Sequence, residues 1–218
     1  MKQKVILSSI FFLAIAFAAN MFAGTTKTKA VAKSSTKSAP AASKTSTIDV
    51  SKSYVSWLSK KVVGQHNGKV KLQSGSVTTK DGGVLTGGEF TIDMKTITCE
   101  DLTDQDYNKK LIGHLNSSDF FDVNDHPTAT LKVTKVLKLT NKANSYNLTG
   151  DLTIKGITKS ITFPATFKGV GKTFEGAATI TIDRTAFDIK YGSSNFFEGL
   201  GDKAIKNDVE LKVYIVAN

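Results

Sequence analysis

A chain of 218 residues with one cysteine and a formal charge of +10 is long enough to bury a core of its own, and a single thiol excludes an internal disulfide. The charge does not argue for nucleic acid, because residues 1–46 hold seven lysines and no carboxylate, leaving 22 basic against 19 acidic residues downstream, a net of only +3. Arg184 is the sole arginine, whereas recognition of phosphates and base edges leans on arginine forks.

At the N-terminus Lys2 and Lys4 precede an apolar run from Val5 to Ala19, with small residues at Ala16, Ala18 and Ala23. That is the pattern of a secretory signal peptide over residues 1–23, and it predicts cleavage after Ala18 or Ala23 and a periplasmic or secreted mature protein. Ser8, Ser9 and Asn20 argue against a stable transmembrane segment. Residues 24–46 are almost entirely Thr, Lys, Ser and Ala with Pro40. Such a segment buries too little apolar surface to offset its ordering entropy and is expected to be a disordered tether. Residues 47–218 read as one domain.

From residue 47 the apolar residues alternate instead of recurring at helical spacing. After runs at Tyr54 to Val63 and Lys69 to Thr79 come Phe90, Ile92 and Met94, then Leu131, Val133, Leu137 and Leu139, then Tyr146, Leu148, Leu152 and Ile154. Ile157, Ile161, Phe163 and Phe167 follow, then Phe174, Ala178, Ile180 and Ile182, and last Val209, Leu211, Val213 and Ile215. Asp81-Gly82-Gly83, Asn141 to Asn144, Lys155-Gly156 and Gly169 to Lys172 supply turns, so consecutive strands should pair antiparallel. About eight strands result, several of ten residues or more, and that length favours a closed barrel over a sandwich. One helix is predicted over Asp104 to Leu115, capped by Asp101 or Thr103, and it should cover a barrel opening.

Several segments together resemble the YceI-like family: His66-Asn67-Gly68, Gly87 to Ile97, Leu111 to Pro127, Gly150 to Phe167 and Leu200 to Val213. The most specific are His-Leu-x-Ser-x-Asp-Phe-Phe-Asp-Val at 114–123 and Leu-Thr-Ile-x-Gly-x-Thr-Lys at 152–159. The resemblance implies an all-β, antiparallel, eight-stranded lipocalin-like barrel with one short covering helix, export to the periplasm, and a polyisoprenoid, quinone-like or other long-chain lipid in the interior. It departs from the family at Leu111 and Ile112, where many members carry Arg-Asp.

In a closed barrel the inward residues either fill the lumen or line a cavity. Trp57, Phe90, Phe163, Phe167 and Phe174 are expected to touch the lipid, with Phe120 and Phe121 placed to gate the entrance. His114, Asp119, Asp122, Asp125 and His126 carry metal-ligand chemistry, but at a spacing that fits no recognised site and suits caps and turns instead. They are the residues that a metal-dependent enzyme would have to use, the alternative to a carrier, with a structural envelope protein as the third reading. Gly169-Val170-Gly171-Lys172-Thr173 lacks the earlier glycine and the helix of a phosphate loop. Cys99 has no evident base to activate it. Asp183-Arg184 reads as a structural ion pair closing the barrel. No catalytic residue, cofactor or metal is assigned, and the oligomeric state is left open, a dimer included.

Overall fold

The computed structural model of the protein describes residues 42–218; the expected signal segment and residues 24–41 of the expected tether lie outside the described residues. The elements run in the order β1 (Lys44–Thr47), β2 (Tyr54–Lys61), β3 (Gln65–Lys80), β4 (Val84–Asp93), α1 (Gln105–Asn116), β5 (Thr128–Lys138), β6 (Ser145–Ile154), β7 (Ile157–Val170), β8 (Thr173–Asp183) and β9 (Ile205–Ala217). Every strand pairing is antiparallel. The ladder runs β3-β2-β9-β8-β7-β6-β5-β4 and returns from β4 to β3, so eight strands close a barrel.

Closure rests on β3, a strand of 16 residues. Its first part, Gln65–Val70, pairs with β2, and Lys71–Lys80 pairs with β4. The edge that β2 leaves free is taken by β1 over Ser76–Thr79, and Ile48 bridges onward to Ala217 of β9. β1 and β2 thus fill one strand position, broken where the Asp49 side chain accepts hydrogen bonds from the Ser51 amide and hydroxyl.

This corrects the tether boundary at residue 46. Ser46 is 1% exposed and opposes Val77, because the free edge of β3 supplies the partner that side-chain burial alone could not. A second correction concerns β5. The register shifts between Val133 and Lys135, and such a bulge reverses the parity of the residues beyond it. Val136 therefore packs on the core while Leu137 is 53% exposed. The helix forms where expected, but its cap is Asp104, whose carboxylate accepts from the amides of Asp106 and Tyr107. The glycine turns hold: Lys155 and Gly156 both have positive φ between paired Ile154 and Ile157, the two-residue turn that matches strand twist.

Two neighbouring pairs diverge. β7 and β8 pair only over Ala165–Val170 and Thr173–Ala178. The turn Arg184–Phe187 packs against β7 and β9, with Phe187 and Ile189 each 1% exposed. β4 and β5 pair only over Glu89–Asp93 and Thr128–Lys132.

A chain beginning at Ala42 is expected to keep the thermal midpoint of one that carries residues 1–41, since β1 is intact. One beginning at Ile48 loses the β1 ladder and uncovers Val77, which should cost about 2 kcal/mol and lower the midpoint by roughly 4–8 °C. Calorimetry on the three chains checks this.

Candidate functional site

The inward parity of the strands meets no second sheet, and the lumen keeps a cavity of about 200 Å³. A site for one water needs roughly 10–15 Å³ of such space, so the lumen is not filled by its own side chains. Its wall is aliphatic and aromatic almost throughout, the polar exceptions being Ser59, Thr166 and Arg184.

Trp57, Phe90, Phe163 and Phe167 line this cavity, and so do Phe120 and Phe121 at the end covered by α1, beside Leu115. Phe174 does not face it. Its ring stacks on Phe167 with centroids 5.2 Å apart and 12° between planes, under the Lys44 ammonium. Reasoning from the sequence missed Gly87 and Gly88, which line the wall where β4 and β5 part. The glycine pair inside a strand was the available signal, since glycine there marks a close approach or an opening.

Arg184 was expected to pair with Asp183. Instead its side chain, 3% exposed, donates from Nε to the Lys206 carbonyl (3.1 Å), from Nη1 to that of Ile189 (2.7 Å) and from Nη2 to that of Ile205 (3.1 Å). Asp183 caps the adjoining turn by accepting from the Thr185 amide and hydroxyl. Burial lowers the guanidinium pKa from its usual value, partly offset by the charge of Asp183. Arg184 continues the inward parity of Ile180 and Ile182 and lines the cavity, while its guanidinium ties the 184–205 connection together.

A second anchor joins β3 to the segment after β4. Asp101 accepts from the Asn67 amide (2.7 Å), stands 2.8 Å from His66 Nδ1 and takes the Cys99 thiol at 3.3 Å. Burial pushes the Asp101 carboxyl up, yet these hydrogen bonds outweigh it and hold it below its usual value. Gly68 explains itself here: a Cβ would stand 1.8 Å from the Thr98 carbonyl oxygen, the atom that also accepts from Trp57 Nε1 at 3.1 Å. His66, Cys99 and Asp101 are the one group of metal-ligand side chains gathered among the described residues. Burial raises the Cys99 thiol pKa, so it acts as a hydrogen-bond donor to Asp101.

The residues from His114 to His126 do not converge. His114 stands 3.9 Å from Asp119 and packs edge-on against Phe120 and Tyr191. Asp122 takes positive φ in a turn, and His126 lies over Gly156. The arrangement packs the post-helix segment onto the barrel end.

The family model for the YceI-like domain matches residues 46–217. A UPF0312 protein of Pseudomonas putida is 41% identical over 83 residues, 35% of this chain and 42% of the relative. One of Vibrio parahaemolyticus is 34% identical over 125 residues, 51% of this chain and 65% of the relative. The chain thus spans less than two thirds of the length of these curated relatives. Among solved structures, Burkholderia cenocepacia BcnA superposes with a TM-score of 0.63 at 28% identity, covering 78% of this chain and 99% of that one. A domain of Saccharophagus degradans, described as polyisoprenoid-binding and implicated in plant cell wall breakdown, superposes at 0.57 with 12% identity, covering 80% and 97%, a likeness of fold.

Arg184→Met keeps the stem but leaves three carbonyls without donors, and should cost about 3–5 kcal/mol in urea unfolding. For Asp101 the sign comes from a lowered carboxyl pKa: its stabilisation is complete above the usual 3.8 and lost as pH falls through its folded value. Asp101→Asn should therefore lower stability at neutral pH and flatten the acid limb below about pH 4, read from unfolding midpoints across pH.

Proposed function

The chain belongs to the YceI-like domain family, and from that premise we propose that it is an exported binding protein, not an enzyme, that holds a polyisoprenoid, quinone-like or other long-chain lipid in the barrel for carriage or storage. One observation carries this reading: an unfilled cavity whose wall is apolar nearly throughout and whose one charged lining residue, Arg184, spends its guanidinium on three backbone carbonyls. Such a space rewards a ligand that needs no polar partner, because an unpaired polar group moved into it would lose its hydration without compensation. An extended hydrocarbon meets that condition at about 0.8 kcal/mol for each buried methylene. The description of the Saccharophagus degradans domain makes polyisoprenoids the first class to try. Action outside the cytoplasm rests on the signal pattern of residues 1–23.

Trp57, the only tryptophan, lines the cavity and reports on its occupancy. Titration with isoprenoid alcohols of increasing length should shift its emission, with affinity rising until the chain outgrows the lumen, and Phe167→Leu should weaken binding of the longer chains more than it lowers stability. Native protein extracted into organic solvent should release a long-chain lipid detectable by mass spectrometry. An unchanged Trp57 emission together with a lipid-free extract would overturn the reading.

A further inference from the structure

The barrel wall is incomplete on one side. Beyond Glu89 and Lys132 the β4–β5 ladder stops: Val84–Gly88 pair only with β3, and Val133–Lys138 only with β6. The equivalent divergence of β7 and β8 is packed by Arg184–Phe187, whereas no described residue is hydrogen-bonded between β4 and β5 below Glu89. Gly87, Gly88 and Val133 line the cavity at this gap and are partly exposed, and a Cβ at Gly87 would meet nothing within 4 Å.

Lysines outnumber carboxylates on the surface around the gap. Lys80, Lys135, Lys138 and Lys142 are exposed and make no ion pair among the described residues. Asp81 and Glu89 are the exposed carboxylates among them, Glu89 opposite the exposed Lys132, while Glu175 farther round the rim pairs with Lys168. Leu137 stands between Lys135 and Lys138, 53% exposed, turned outward by the bulge in β5. An exposed leucine within a lysine fringe, beside a slot into an apolar cavity, matches the interface of an anionic bilayer, where each surface lysine adds attraction to the lipid headgroups.

We propose that the β4–β5 gap is the mouth of the cavity and that the protein docks it on an anionic membrane surface to take up or release its ligand. This rests on the lipid-binding reading above. The glycines keep the slot free of side chains, the lysines hold it against the headgroups, and Leu137 reaches past them.

The test uses the full chain and monitors energy transfer from Trp57 to a dansyl-labelled farnesyl alcohol, delivered either from dilute solution or from vesicles. Wild-type protein should draw the probe from phosphatidylcholine vesicles containing phosphatidylglycerol about tenfold or more faster than from phosphatidylcholine alone. Added salt should remove most of that difference. Lys135→Glu with Lys138→Glu should abolish the advantage while leaving affinity for the probe in solution unchanged. The lysines ahead of residue 46 are common to both proteins, so the difference reads this face alone. Gly87→Phe should slow uptake by both routes, at an unchanged thermal midpoint. Docking is overturned if wild type draws the probe equally fast from neutral and anionic vesicles, or if the lysine reversal changes nothing. The mouth is misplaced if Gly87→Phe leaves both rates intact. If no protein takes up the probe even from solution, the lipid-binding reading fails and the docking proposal falls with it.

Discussion

An antiparallel sheet with one apolar face must hide both that face and its edges, and here a single strand meets both demands. β3 hydrogen-bonds to β2 over its first part, to β4 over its second, and to β1 along the edge that β2 vacates. Once the sheet is closed in this way, the inward residues of eight strands look at one another across a lumen and have no second layer to fill it. The cavity is therefore a consequence of closure, and its apolar wall is the core that keeps the barrel folded.

The places where the ladder fails are handled differently, and the difference shapes the molecule. Where β7 leaves β8, the connection from Arg184 folds back, buries Phe187 and Ile189, and is held by the guanidinium of Arg184 on three carbonyls. Where β4 leaves β5, glycines and half-exposed aliphatic side chains form the boundary. One end is thereby sealed by α1, Phe120 and the 184–205 connection, and the side wall is left thin at Gly87 and Gly88.

The polar groups near the lumen are turned to structural work. Asp101 gathers His66, the Asn67 amide and the Cys99 thiol, and so fixes the start of β3 against the segment after β4. His114 packs edge-on against the rings of Phe120 and Tyr191. These side chains have the types that catalysis uses, but each is committed to a neighbour that positions backbone. A binding role for the cavity fits this division, with apolar surface inside and directional bonds at the rims.

Alternation along the chain determined the strands from β2 onward and their turns, and helical spacing with a cap signal determined α1, because period-two burial and glycine at positive φ are local properties that one segment carries alone. The same pattern placed Trp57, Phe90, Phe163 and Phe167 inward, and the motifs at 114–123 and 152–159 carried the family. Features that depend on a partner strand were decided only by the tertiary structure. Lys44–Ser46 became strand because β3 offers a vacant edge, Leu137 turned outward because β5 bulges against β6, and Phe174 was displaced from the cavity by stacking behind Phe167. Arg184 left Asp183 for carbonyls brought close by a fold-back of about twenty residues, and the gap at Gly87 exists because two long strands diverge. Register, closure and divergence are relations between distant segments, and hydrophobic periodicity within one segment holds no information about them.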